Sequence, residues 1–339
     1  MNSASYINDL FDSFNRKRIL IIGDVMIDAY YWGKVDRISP EAPVPIVQVE
    51  KKEKRPGGAA NVALNIHALG AEAILCTAIG DDKEGEIFKQ LLKVQGIRSD
   101  YCKSFKNKTT TVKTRVIGNK HQLLRVDEED ASDLSKENEV EFVQLIKECI
   151  NNESIDGIVL EDYNKGNLTK FVIEQIIQLA NQKKIPTAVD PKKYNFNAYR
   201  NVTLFKPNFH ELKTGLNKEL SIENANEMEK AIQKFRNEMN IQTLLLTLSE
   251  HGIFYQNNAE QKIIPAHIRT ISDVSGAGDT VIGVAALCLA CQTSDYLMAA
   301  LSNLAGGLVC EQIGVVPIDK NQLLDEAIKL KIYNPTLAV

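Results

Sequence analysis

Short apolar runs alternate with stretches of helical spacing along most of the chain. Arg18–Ile22 reads as a first buried strand, closed by Gly23, and Ala73–Ile79, Gly157–Leu160, Thr187–Val189, Val202–Phe205 and Thr243–Thr247 read the same way. Between them, Ala60–Leu69 (stopped by Gly70), Lys83–Gln95 (capped by Asp82), Leu168–Gln182 and Ile222–Asn237 carry helical patterns. Strands and helices in this rhythm predict an α/β fold, a doubly wound, mostly parallel sheet flanked by helices. Such a sheet places its ligands at the carboxyl ends of its strands. Ahead of the first strand, Tyr6, Ile7, Leu10, Phe11 and Phe14 recur at helical spacing and predict a docked amphipathic helix.

Two stretches break the rhythm. Residues 30–54 contain three prolines and the alternating Val44, Ile46, Gln48, Glu50, and residues 109–126 alternate in short polar β-like runs. Together they predict a small β-sheet lid inserted in the main body. With no internal repeat, low-complexity tract or Pro/Gly-rich linker, residues 1–339 read as a single domain. The exposed edges of a lid sheet suit pairing between two subunits, so a homodimer through the lid is expected.

Composition narrows the function. Hydrophobic residues make up 44% and charged residues 25% of the 339 positions, with a formal net charge of −4. The one basic block, Arg16-Lys17-Arg18, argues against a nucleic-acid surface. The longest apolar run, Val281–Cys291, is shorter than the ~20 residues that span a bilayer, and the N-terminus has no apolar signal core. A cytoplasmic location is expected. Of the six cysteines only Cys288 and Cys291 are close, and no second Cys/His pair stands at zinc-site spacing, so buried thiols are expected.

The chemistry-bearing motifs fall where the pattern puts a ligand. Asp273–Thr280 joins Gly276 and Gly278 to Asp279 and runs into the apolar Val281–Leu289. The N–H groups at such a helix start bind anions. A carboxylate there would repel a phosphate, so its natural task is to take the proton from an attacking hydroxyl, although a first-turn acid is also favoured by the helix dipole alone. After the first strand, Asp24 and Asp28 offer acceptors for sugar hydroxyls. Gly57-Gly58 permits close backbone approach, and Asn61 can donate and accept. Asn208 and Glu211 can order water around magnesium, or form a capping box. Thr247, Ser249 and Gly252 suit nucleotide contacts, or a plain hairpin turn. Lys165 and Lys192 can neutralise a phosphate, and Asp162 can bind a hydroxyl or face metal-bound water.

Gly57-Gly58-Ala59-Ala60-Asn61, the Gly-Ala-Gly-Asp core of Asp273–Asp279 and the Asn-x-x-Glu of Asn208–Glu211 resemble the signatures of the PfkB/ribokinase family of carbohydrate kinases. The resemblance runs from Arg18 to about Ile328. Within the family, Gly23–Asp28, Arg37–Pro45 and Arg55–Ala63 are similar to the D-glycero-β-D-manno-heptose-7-phosphate kinases, which make the 1,7-bisphosphate for ADP-heptose and lipopolysaccharide core synthesis. Asp162–Gly166 and Asp190–Lys192 fit the same subgroup. Ser275, Glu161 and Lys206 stand where Thr, Ser and Thr are common.

The resemblance implies ATP and Mg²⁺, and leaves room for a monovalent cation. It implies Asp279 as base, with Gly276, Ala277 and Gly278 forming the anion hole. Asn208, Glu211 and Lys206 would lie at the phosphates, and Thr247, Ser249, Gly252 and Asn303 along the nucleotide. Asp24, Asp28, Gly57, Gly58 and Asn61 would hold the sugar, with Arg55, Lys165 and Lys192 at its 7-phosphate. No His-x-Gly-His motif of a fused adenylyltransferase domain occurs, so a separate protein is expected to supply that step. A kinase for another sugar or nucleoside and a non-catalytic sugar-phosphate sensor are the competing readings. A dehydrogenase would need Gly-x-Gly-x-x-Gly where Gly23-Asp24-Val25 stands.

Overall fold

The computed structural model describes residues 4–334. The chain opens with α1 (Ala4–Phe14), which buries Ile7, Leu10, Phe11 and Phe14, and passes to β1 (Arg18–Gly23). Then come a long hairpin, β2 (Val25–Ile38) and β3 (Pro45–Gly58), α2 (Ala59–Ala68), β4 (Glu72–Gly80), α3 (Lys83–Val94), β5 (Arg98–Phe105), β6 (Val112–Gly118) and β7 (His121–Glu128). The second half continues through α4 (Lys136–Asn152), β8 (Gly157–Glu161), α5 (Lys170–Lys183), β9 (Thr187–Asp190), β10 (Leu204–Phe205), α6 (Phe209–Leu216) and α7 (Ala225–Met239). It ends with β11 (Thr243–Thr247), β12 (Ile253–Gln256), β13 (Gln261–Ile264), α8 (Ala277–Ala290), α9 (Asp295–Val309) and α10 (Lys320–Lys329).

Nine strands form the main sheet in the order β13-β12-β11-β10-β9-β8-β1-β4-β5. Pairing is parallel from β11 to β5 and antiparallel from β11 to β13. Successive side chains of a strand point to opposite faces, so one apolar run serves two cores. In β1, Ile19 and Ile21 join a core with α2, α8 and α9, while Leu20 and Ile22 join another with α4, α5 and α7. This is why the central strands read as unbroken apolar runs.

The segments that broke the rhythm lie in a four-stranded sheet, order β3-β2-β6-β7. Its strands extend beyond the expected bounds. β2 begins at Val25, one residue after β1, and is buried through Tyr30 before it emerges into solvent; β7 is exposed at every residue. Arg55–Gly58, which carries the paired glycines, is the end of β3, with Arg55 opposite Asp28. Gly58 adopts φ 62°, and a side chain there would meet the carbonyl oxygen of Asp24 at 2.5 Å. Only glycine lets β3 turn directly into α2. None of the described helices is long and apolar enough to cross a membrane.

Candidate active site

The parallel strands end on one edge, which sets the site. Asp24 follows β1, Glu161 ends β8, Asp190 ends β9, Lys206 follows β10 and Thr247 ends β11; Gly23 pairs with Glu161 and Glu161 with Asp190 in register. Opposite them, α8 starts behind a glycine turn. Asp273 shapes this turn by accepting from the N–H groups of Ser275 and Gly314, both at 2.9 Å. Gly276 takes φ 81°, and a Cβ there would sit 2.9 Å from Asn61 Nδ2, so the turn requires glycine. The Ala277 N–H is drawn back to the Val274 carbonyl at 3.3 Å, which leaves Gly278 and Asp279 as the first-turn donors without an upstream acceptor.

Asp279 is buried and gripped from two sides. Asn61 Nδ2 donates to Oδ2 and the Tyr163 hydroxyl donates to Oδ1, both at 2.7 Å. Burial pushes its pKa up to about 6; the bonds from Asn61 and Tyr163 pull it down, Asp190 pushes it up and Lys206 pulls it down. A base poised there is ionised at neutral pH yet still basic enough to accept a proton. Asn61 therefore positions the carboxylate through Nδ2, while its Oδ1 faces Asn65 Nδ2 at 3.4 Å. Sequence reasoning missed Tyr163, because nothing local marks a hydroxyl that reaches 116 residues ahead.

Beneath this turn lies an acidic cluster. Oxygens of Glu161, Asp190 and Asp279 all lie within 4.8 Å of one another. Lys206 Nζ bonds Asp190 Oδ2 at 2.8 Å, so Lys206 is held by a carboxylate at the edge of the phosphate turn. Burial, then the charges of Asp190 and Asp279, hold Glu161 well above the usual carboxylate range.

Several expected ligands are engaged elsewhere. Asp24 is 1% exposed, and its oxygens accept from the backbone N–H groups of Tyr163, Lys165 and Asn167 at 2.8, 3.0 and 3.1 Å. It fixes the loop after β8. Asp162 accepts from the Asn164 N–H at 2.8 Å and from the Tyr199 hydroxyl at 2.7 Å. Asn208 and Glu211 form the capping box of α6, and the second Glu211 oxygen takes Lys192 Nζ. Lys192 is paired with Glu211, and Lys165 with Glu129 at 2.8 Å.

At the rim, Asp28 accepts from Arg115 Nη1 at 2.5 Å, and a side chain at Gly57 would strike Asp28 Oδ2 at 2.2 Å. Arg55 is tied to Glu53 at 2.6 Å and to the Val315 carbonyl at 3.0 Å. The guanidinium groups of Arg55 and Arg115 lie 5.3 and 5.4 Å from the ring centroid of Tyr30. Arg115 was not singled out in the sequence; strand alternation over 109–126 does not choose among its charges. Beyond the turn, a cavity of about 640 Å³ gathers Thr247, Ser249, Gly252 and Asn303 with Ala277 and Gly278. Asn303 Nδ2 donates to the Pro265 carbonyl at 2.8 Å and fastens the wall that carries the exposed Ile268 and Ile271.

Residues 16–321 match the pattern of the pfkB family carbohydrate kinases. Among curated relatives, a bifunctional protein HldE of Koribacter versatilis is 37% identical over 327 residues, 96% of this chain and 66% of that protein. The HldE proteins of Helicobacter pylori strain J99 and Campylobacter jejuni are each 39% identical, over 88% and 92% of this chain and 64% and 65% of theirs. The chain thus spans about two thirds of the length of these relatives. Among solved structures, the tetrameric inhibited form of Escherichia coli phosphofructokinase-2 superposes with a TM-score of 0.75 at 20% identity, covering 92% of this chain and 99% of that one. Arabidopsis thaliana ribokinase complexed with ribose and ATP superposes with a TM-score of 0.68 at 16% identity, covering 91% and 98%. These two show a shared fold.

Proposed function

This chain belongs to the pfkB family of carbohydrate kinases, and from that premise we propose that it transfers the γ-phosphoryl group of ATP to the anomeric hydroxyl of D-glycero-β-D-manno-heptose 7-phosphate. The observation that carries the reading is a buried base, Asp279, clamped by Asn61 and Tyr163 at a helix start that opens onto the 640 Å³ cleft. Asp279 takes the hydroxyl proton, a role worth ~10²–10⁴-fold in rate. The N–H groups of Gly278 and Asp279 meet the charge on the transferring group, where one lost donor typically costs ~10²–10³-fold. Thr247, Ser249, Gly252 and Asn303 line the nucleotide. Asp28 accepts from sugar hydroxyls beside Gly57 and Gly58. Arg55 and Arg115, which have guanidinium donors to spare, hold the 7-phosphate. The similarity of Arg37–Pro45 and Arg55–Ala63 to the heptose-phosphate subgroup, together with the HldE relatives, supports this substrate over a free sugar.

Magnesium fits the residues present. Both Glu161 oxygens and Asp190 Oδ1 are buried without a partner, the donors a hard cation takes. Glu211, with one oxygen on the Asn208 N–H and the other on Lys192, would act on such an ion through water. When bound with ATP, the ion neutralises phosphate charge.

The test is Asp279→Asn together with a substrate panel. The variant is expected to lose ~10²–10⁴-fold in kcat, read as ADP release; near wild-type turnover would remove Asp279 as base. Preference for a free sugar over heptose 7-phosphate would overturn the substrate and leave the kinase standing. We also propose a cytoplasmic homodimer joined through the second sheet.

A further inference from the structure

At the rim of the second sheet two lysines converge on one carboxylate to which phosphoryl transfer gives no task. Lys113 stands opposite Asp28 in β6, and strand alternation puts it on the same face as Arg115, two residues on. Lys165 arrives from the loop after β8. Its backbone is pinned at both ends, the N–H by Asp24 at 3.0 Å and the carbonyl by Lys108 Nζ at 2.6 Å, so its side chain is the part left to swing. Both ammonium groups donate to Glu129, Lys113 to Oε2 and Lys165 to Oε1, each at 2.8 Å. The two lysine side chains are each 14% exposed and that of Glu129 28%, so the pairing is sheltered at the lysines and open at the carboxylate. Burial pushes the Glu129 carboxyl up, but the bonds from Lys113 and Lys165 outweigh it and hold the group below the usual carboxylate range.

We propose that Glu129 is an internal stand-in for a phosphate: it occupies a dianion subsite formed by Lys113 and Lys165 beside Arg115, and yields it when a phosphorylated ligand binds. A carboxylate with one oxygen on each lysine makes the contacts that two phosphate oxygens would make. A phosphate brings a third oxygen and up to about one further negative charge, so the exchange favours it. Glu129 is also built to leave. It is the first residue past β7, and residues 129–135 are neither helix nor strand, so it can withdraw without breaking a ladder. The far end of this strap stays anchored, because the Leu134 N–H bonds the Gly166 carbonyl at 3.1 Å. On its departure Lys113 keeps Asp127 at 3.1 Å, whereas Lys165 has no other ion pair among the described residues and turns to the incoming dianion. The subsite adjoins Asp28, so it suits an acceptor with hydroxyls at one end and a phosphate at the other. The inference rests on the sugar-phosphate reading for the natural ligand; the subsite itself is defined by its cations.

The test uses the full-length protein and two readouts: turnover of heptose 7-phosphate, followed as ADP release, and calorimetric titration with inorganic phosphate while a non-hydrolysable ATP analogue fills the nucleotide cleft. Glu129→Gln and Glu129→Ala are expected to lower the KM for the sugar phosphate by roughly threefold or more, because a blocked fraction of the protein reduces apparent affinity in proportion. Inorganic phosphate is expected to bind both variants more tightly by a similar factor. Lys165→Met is expected to weaken phosphate binding by roughly tenfold, the loss of one charge-assisted donor. A carboxylate that merely orders the two lysines predicts the opposite sign: without it they repel, and the KM rises. An unchanged or raised KM in both Glu129 variants, or phosphate bound by Lys165→Met as tightly as by wild type, overturns the proposal. If the substrate panel favours a free sugar while both Glu129 variants still tighten inorganic phosphate, the subsite stands and the heptose-phosphate reading alone falls.

Discussion

At Asp279 two donors and one burial decide the chemistry. Desolvation raises the carboxylate, and Asn61 and Tyr163 restrain it to about 6. A general base works only when ionised, so kcat/KM is expected to rise with pH through about 6 and level off above it. Tyr163→Phe removes a bond that favours the ionised form, so its rising limb is expected to move to higher pH, measurable as a full pH–rate profile. A limb that stays in place or moves down would mean that Tyr163 does not set this basicity. Asp279 was legible in the sequence because a glycine turn before an apolar helix announces an anion site. Its clamps were not equally legible: Asn61 stood out as a sugar ligand and not as a partner of Asp279, and Tyr163 not at all. Spacing identifies which residues are polar near a strand end, but not which way each faces. For the same reason the partners of Asp24, Asp162, Lys165 and Lys192, backbone groups or opposite charges within the chain, were not visible in the sequence.

Elements are held by local devices that can be tested singly. In α6, Asn208 accepts from the Glu211 N–H at 2.8 Å and Glu211 accepts from the Asn208 N–H at 2.9 Å. Asn208→Ala is expected to lower stability by about 1 kcal/mol, read from urea unfolding. Because the same Glu211 bonds Lys192, the variant should also loosen that pair and raise the KM for ATP more than that for the sugar. The central strands β1, β4, β8, β9 and β11 were readable because both faces are buried. β5 was missed because it is an edge strand carrying Arg98, Asp100 and Lys103, and half-exposed charged residues hide its pairing with β4. α9 was legible only as a small-residue helix around Asn303, without bounds, for the opposite reason: Leu297, Met298, Leu301 and Leu304 are buried alongside Tyr296, Ala299, Ala300 and Ala305, so no polar stripe marks its period. In the second sheet the alternation was visible from residue 30, but the buried run Val25–Ala29 ahead of it, the root of β2, was not read as strand.

The whole molecule is two sheets of unequal exposure. The nine-stranded sheet is covered on both faces, whereas the second sheet leaves β3 and β7 as edges and shows Leu123, Leu124 and Val126 to solvent. Apolar residues on an open strand edge favour pairing with another chain. If a second copy covers this surface, Leu124→Lys is expected to convert a dimer into a monomer by light scattering. A monomeric wild type would dismiss the idea. The root of that sheet has a mechanical consequence. Asp24 alone separates β1 from β2, and its carboxylate grips the backbone of Tyr163, Lys165 and Asn167. It is therefore a fulcrum: a swing of the hairpin levers the same loop that delivers the Tyr163 hydroxyl to Asp279. Hydrogen exchange at the amides of residues 163, 165 and 167 should then slow in step with β2 when sugar phosphate binds, so that the substrate is felt at the base along the chain as well as through the hydroxyl that the base deprotonates.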